Sequence, residues 1–174
     1  MSVLKWAPLG AFILLATALT FGLAKPSDPN VTSKMIGTLV PVFRLAPATA
    51  GLPGFASADL ANGQPHLVNF FASWCVPCVA EAPQLKAIAD AGVPVVGIAV
   101  RDRPEAVARF LARNGNPFRA IGADNNSQLQ MALGSSGVPE SFVVDGRGRI
   151  RHQTIGPINP QDVPGVIAAV EHAR

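Results

Sequence analysis

Residues 66–78 read HLVNFFASWCVPC. The run His66 to Ala72 is largely apolar and bounded by turn residues, the pattern of a strand covered on both faces. From Val76 to Ala91 the chain reads as a helix, with Leu85, Ile88 and Ala89 on one face. A kink is expected at Pro83, because a proline inside a helix removes one hydrogen bond. Cys75 and Cys78 thus stand where a buried strand gives way to a helix. Residues three apart on a helix share a face, within the Cα separation of about 4.4–6.8 Å that a disulfide needs. As a staple such a bridge does little, since the entropy it removes from the unfolded chain grows with loop length. The pair has a geometry suited to a disulfide without the usual structural reason for one.

Position supplies a chemical reason. At the helix amino terminus, free amides and the helix dipole stabilise an anion. The Cys75 thiol pKa is expected to fall, giving more attacking thiolate at neutral pH. Cys78, one turn inside and less exposed, is suited to resolve a mixed disulfide formed at Cys75. Two other readings compete. The cysteines could be unrelated small hydrophobes in a core, but the chain has only these two and both fall in this window. They could capture a metal, which would need two further ligands. His66, His152 and His172 are far apart and offer no ligand spacing; they read as solvated or terminal.

The chain has 174 residues, about one domain with room for an appendage. Hydrophobic residues make up 49% and charged residues 14%, which excludes intrinsic disorder and a solvated coiled coil. Sixteen glycines and sixteen prolines stay below the roughly 25–30% typical of low-complexity chains. Two cysteines exclude a disulfide-stapled miniprotein and a four-thiolate zinc site. A net charge of +3 is too small and scattered to argue for nucleic acid.

The surplus hydrophobicity has an address. Trp6 to Ala24 are 19 residues without a charge, bracketed by Lys5 and Lys25. As a helix this run spans roughly 28 Å, close to the thickness of a bilayer's hydrocarbon core. Only Thr17 and Thr20 interrupt it, whereas a core helix keeps a polar stripe. Gly22-Leu23-Ala24 offers a signal-peptidase site, but the run exceeds the 7–15 residues of an ordinary signal core, which favours an uncleaved anchor. Residues 1–24 are therefore read as a membrane anchor or signal, 25–35 as a linker rich in turn formers, and 36–174 as the exported domain. Export places the cysteines in an oxidising compartment.

Within that domain, Met35 to Leu45 is a short apolar stretch, and Pro47 to Leu60 holds loops and one short strand. Val93 to Val100 reads as a second buried strand. Asp102 with Glu105 marks the start of a helix running to about Asn114, with Gly115 as its stop. Phe118 to Ile121 is predicted as a strand and Ser127 to Leu133 as a short helix. Ser141 to Asp145 and Arg149 to Ile155 are strands joined through Gly146-Arg147-Gly148, a hairpin signal. Asn159-Pro160 opens a last helix ending near His172. Parallel crossovers followed by a hairpin imply an α/β fold with a mixed sheet covered on both faces.

The window from Asn69 to Cys78 resembles the active-site segment of thioredoxin-like proteins. Gly137-Val138-Pro139-Glu140-Ser141-Phe142, just before the hairpin, looks like their cis-proline loop. With the amino-terminal anchor and Met35-Ile36-Gly37, the chain resembles the DsbE/CcmG family, membrane-anchored thiol:disulfide interchange proteins of cytochrome c maturation. The resemblance covers roughly Ile36 to the carboxyl end.

That resemblance implies a thioredoxin-like fold, a mixed central β-sheet flanked by helices, behind an N-terminal transmembrane helix. It implies Cys75 as nucleophile and Cys78 as resolving cysteine, with Trp74 and Pro77 completing the motif. Pro139 would be the cis proline packed against the disulfide, leaving the Val138 backbone free to pair with a substrate strand. Glu81 and Glu140 match acidic positions near the cysteines; if buried, their carboxylates would oppose thiolate formation, whereas the plainer reading makes both solvated. Asn69 stands where thioredoxins proper have a buried aspartate, and Val79 departs from the basic residue that often follows the second cysteine.

The expected function is reduction of disulfides in apocytochrome c, or in a maturation protein that serves it. Re-reduction would come from a membrane thiol-disulfide electron carrier, with no cofactor beyond the Cys75–Cys78 pair and no metal. The expected place is the inner membrane, single-pass, with the catalytic domain in the periplasm. Two alternatives stand beside it. One is a general periplasmic disulfide reductase or oxidase, the latter disfavoured because Val76-Pro77 lacks the histidine typical of strong oxidants. The other is a redox-inert haem or metal chaperone.

Overall fold

The computed structural model describes residues 35–174, together with Trp6, Phe12, Leu14 and Thr17. The chain divides into two units, Met1–Thr32 and Ser33–Arg174, and the architecture below is that of the second. The expected Trp6–Ala24 span lies almost wholly outside the described residues, as does most of the linker. Among the described residues no helix is long and apolar enough to cross a membrane.

Strand β3 (His66–Phe71) is buried along its whole length and occupies the middle of a five-stranded sheet. The strands on one side are β4 (Val95–Val100) and β5 (Ile121–Asp124); on the other are β6 (Glu140–Val144) and β7 (Ile150–Ile155). The order is β5-β4-β3-β6-β7. The β3–β4 and β4–β5 pairs are parallel, and β3–β6 and β6–β7 are antiparallel. A separate two-residue ribbon pairs β1 (Arg44–Leu45) with β2 (Phe55–Ala56), and the short helix α1 (Ser57–Leu60) follows it.

Both parallel steps move in the same direction across the sheet. Right-handed crossovers then require both connecting helices to lie on one face. These are α2 (Val76–Asp90) and α3 (Pro104–Asn114), and they share an apolar core with the C-terminal helix. That core contains Leu67, Phe71, Val95, Val107, Phe110, Val143, Val166 and both cysteines. Phe71 stacks on Phe118 at 4.9 Å and meets Phe110 at 5.4 Å. Gly97 permits this, since a Cβ there would come within 2.9 Å of the Phe71 ring. The other face carries α1, the small helix α4 (Gln128–Ala132) and the stretch from Met35 to Leu45, over Val68, Phe70, Ile98, Phe142 and Ile150. Both faces are covered, as the near-continuous apolar strands require.

Most element readings agree with the structure, and four differ. The stretch Pro47 to Leu60, read as loops and one strand, also holds the helix α1. The fifth strand begins at Ile121 rather than ending there. Phe118 and Ala120 are buried, but their segment enters the ladder only through isolated bonds such as Gly97 N–H to Ala120 O, 2.9 Å. Helix α3 is preceded by Arg103, with no side-chain cap, so Asp102 does not open it as expected. Asn159-Pro160 leads first into a 3-10 turn, Pro160–Asp162, before α5 (Val163–His172). His66, expected in solvent, is buried at the start of β3, and burial pushes its pKa below the ordinary 6.5.

The β6–β7 turn is built on Asp145. Its buried carboxylate accepts from the amides of Arg147 and Arg149, each at 2.9 Å, and from Arg151 Nε at 2.7 Å. Burial alone would raise its pKa, but these donors and the Arg151 charge outweigh that, and the net shift is downward.

Candidate active site

The site forms where β3 ends and α2 begins. Cys75 is the N-cap of α2, in extended conformation (φ −86°, ψ 110°), and Pro77 sits in the first turn, where a missing amide costs no helical bond. Cys75 and Cys78 are joined as a disulfide, with Sγ–Sγ 2.17 Å and Cα–Cα 5.3 Å. The Cys78 amide donates to Cys75 Sγ at 3.2 Å. A helix N-terminus that points an amide at a sulfur favours negative charge on that sulfur once the bond is reduced.

Cys75 is 4% exposed and Cys78 1%, so the sulfurs are reached through a rim of other side chains. Trp74, Val76, Pro77 and Val79 are all exposed around them. Val138, half-buried, packs against the core cluster that holds both cysteines. The Val138–Pro139 bond is cis, and Glu140 directly after it opens β6. The structure therefore brings the cysteine motif and the Val138–Pro139 segment to one apolar cluster.

The two glutamates part company. Glu81 lies one turn beyond Cys78 on the buried face of α2, 1% exposed. It is no solvated charge. Its Oε1 accepts from Asn69 Nδ2 at 2.9 Å and its Oε2 from the Ile158 amide at 3.0 Å. Burial raises its pKa above the ordinary 4.5, against the pull of those two donors. Asn69 also donates to Ser141 Oγ at 3.0 Å, and its Oδ1 has no partner among the described residues.

Glu140, equally buried, belongs to the opposite face of the sheet. It shares the parity of Phe142, and its carboxylate accepts from Ser135 Oγ (2.6 Å), the Ser136 amide (2.9 Å) and Gln153 Nε2. The resemblance set both acids near the cysteines; only Glu81 lies on the cysteine face, whereas Glu140 ties the loop before β6 to β7.

Sequence reasoning missed a second contact to the motif. The carboxylate of Asp102, just past the end of β4, accepts from Ser73 N at 2.5 Å and Ser73 Oγ at 2.8 Å. The Trp74 indole donates to the Arg101 carbonyl at 3.4 Å. One signal could have found it: Asp102 follows the carboxyl end of a parallel strand, where open α/β sheets place their sites. Among the described residues no three His, Cys, Asp or Glu side chains gather as a metal cage.

Chemically, this arrangement supports dithiol exchange. With Cys75 as the attacking thiolate, the reduced pair can open a substrate disulfide, forming a mixed disulfide and expelling the other sulfur as a thiolate. Cys78 then attacks Cys75 Sγ, closing the bond seen here and releasing the second substrate sulfur. Two electrons pass from the dithiol to the substrate.

The Redoxin family profile matches residues 35–170. The chain is 41% identical over 133 residues to the thiol:disulfide interchange protein HelX of Rhodobacter capsulatus, covering 76% of this chain and 75% of that one. It is 38% identical over 160 residues to the thiol:disulfide interchange protein DsbE of Escherichia coli K12, covering 88% and 85%. Among solved structures, a thioredoxin-family thiol:disulfide interchange protein from Chlorobium tepidum superimposes with a TM-score of 0.63 at 28% identity, covering 79% of this chain and 96% of that one. The fold is thioredoxin-like, and the chain belongs to the DsbE/HelX family of thiol:disulfide interchange proteins.

Proposed function

We propose that this oxidoreductase is a periplasmic, membrane-tethered dithiol reductant. Its substrate is a disulfide of apocytochrome c, or of a protein that serves cytochrome c maturation. A membrane thiol-disulfide carrier returns the two electrons that each cycle consumes, because an oxidising compartment cannot supply them. Tethering rests on the uncharged run from Trp6 to Ala24.

The observation that carries the reducing direction is the burial of Glu81 on the cysteine face of α2. A carboxylate held there works against a second negative charge on the neighbouring sulfurs. A less stabilised thiolate makes the dithiol form less favourable and the disulfide more so, which is the condition for a reductant; strong oxidants have the opposite bias. Val76-Pro77 between the cysteines adds no positive charge to offset it.

Replacing the resolving cysteine tests the substrate. In Cys78→Ser the first exchange can occur and the second cannot, so the partner stays attached to Cys75 and can be identified. Capture of a c-type apocytochrome or a maturation protein supports the proposal; capture of unrelated exported proteins alone would make the chain a general reductase.

A further inference from the structure

Asp102 was expected to cap a helix, and it faces elsewhere. Both oxygens are used: Oδ2 takes the Ser73 amide at 2.5 Å, while Oδ1 takes the Ser73 hydroxyl and the Arg103 amide, each at 2.8 Å. No ion pair joins it to Arg101 or Arg103 among the described residues. Its neighbour Arg101 has φ 47°, in the left-handed region that residues other than glycine rarely adopt. The Arg101 amide is fixed to Asp124 O on β5 at 3.2 Å, and its carbonyl receives the Trp74 indole. Such backbone conformations persist where the surroundings over-determine them, and they cluster at functional sites. Here the turn at the end of β4 holds two consecutive residues, Ser73 and Trp74, that lead directly into Cys75.

We propose that Asp102 is a positioning residue for Cys75. Between the end of β3 and the Cys75 N-cap lie only Ala72, Ser73 and Trp74. The Cys75 amide is tied back to Ala72 O at 3.2 Å, so fixing Ser73 fixes where Cys75 meets the helix. In the oxidised protein the disulfide itself holds Cys75 against Cys78. In the reduced protein that restraint is gone, and the Asp102–Ser73 pair keeps the Cys75 side chain opposite Cys78. Preorganisation of this kind raises the effective concentration of one thiol at the other. It therefore favours the ring closure in which Cys78 attacks Cys75 Sγ, expels the substrate thiolate and completes the two-electron transfer.

The test uses the full chain and the variants Asp102→Ala, Asp102→Asn and Ser73→Ala. Each is equilibrated with reduced and oxidised glutathione, and the Cys75–Cys78 disulfide is quantified by thiol alkylation. Asp102→Ala is expected to lower the equilibrium constant for disulfide closure at least about fivefold, since both Ser73 bonds are lost and one alone is worth about that much. Asp102→Asn, which keeps one acceptor, and Ser73→Ala, which loses only the hydroxyl contact, should each lower it about twofold relative to the wild type, and the double variant Asp102→Ala/Ser73→Ala should fall little below Asp102→Ala. A general loss of stability would lower the melting temperature without moving this constant. A constant equal to or above the wild-type value in any folded single variant overturns the proposal. If Asp102→Ala does not fold, Asp102→Asn and Ser73→Ala decide it alone.

Discussion

Asn69 donates its side-chain amide to Glu81 at 2.9 Å, joining the central strand to the helix that carries the cysteines. The same side chain reaches Ser141 on the neighbouring antiparallel strand. Three elements thus share one buried polar knot beneath the active site, and its charge state bears on both stability and redox chemistry.

Glu81 makes stability fall with rising pH. Its folded pKa lies above its unfolded value near 4.5, so between those values the folded protein binds more protons and loses stability as pH rises. The slope is at most about 1.4 kcal/mol per pH unit within that window and vanishes above the folded pKa. Glu81→Gln should flatten this segment of the curve, as read by denaturant unfolding from pH 4 to pH 8. A parallel slope in the variant would contradict the assignment.

Asn69→Ala removes a donor from Glu81 and from Ser141 and leaves both acceptors buried. A cost of about 1–3 kcal/mol is expected. The cost should be larger at pH 7 than at pH 4.5, because the ionised carboxylate loses more than the neutral acid. Equal costs at both pH values would mean that Glu81 does not change its charge between them.

Asp145→Asn removes the charge around which the β6–β7 turn closes. Charge-assisted hydrogen bonds of this type contribute about 1.5–3 kcal/mol each at best, and a net loss of that order is expected at pH 7. The Asp145 pKa is lowered on folding, so the stabilisation is present above the unfolded value and disappears as pH falls through the folded one. Wild type and variant should therefore converge in acid. A gap that persists below pH 2 would point to packing instead.

Phe71→Ala should cost about 3–5 kcal/mol, since this ring is 1% exposed and contacts both Phe110 and Phe118. Equilibrium unfolding of the oxidised protein measures it. A loss below 1 kcal/mol would mean that the face beneath α3 collapses readily.

The central strand and the cysteine motif were legible because both signals are local. An apolar run bounded by turn residues says strand, and two cysteines three apart at its end say exchange. The fifth strand was displaced because its pattern is misleading: Gly122 and Asp124 look unlike a strand, yet Asp124 is 2% exposed and accepts from the Gln130 amide. Glu81 and Glu140 could not be separated in sequence, because a strand side chain's face depends on register. With Phe70 opposite Glu140 and Asn69 opposite Ser141, the two acids fall on different faces. The Asp102–Ser73 contact joins residues 29 apart, across a crossover whose length says nothing of where its ends meet.

The proposed reducing character of the Cys75–Cys78 pair is tested most directly by its equilibrium reduction potential, measured against glutathione buffers. The value expected lies nearer thioredoxin's roughly −270 mV than the roughly −120 mV of a strong oxidant. Glu81→Gln should shift it toward the oxidising end. A wild-type potential near −120 mV would contradict a reductant and make the protein a disulfide donor.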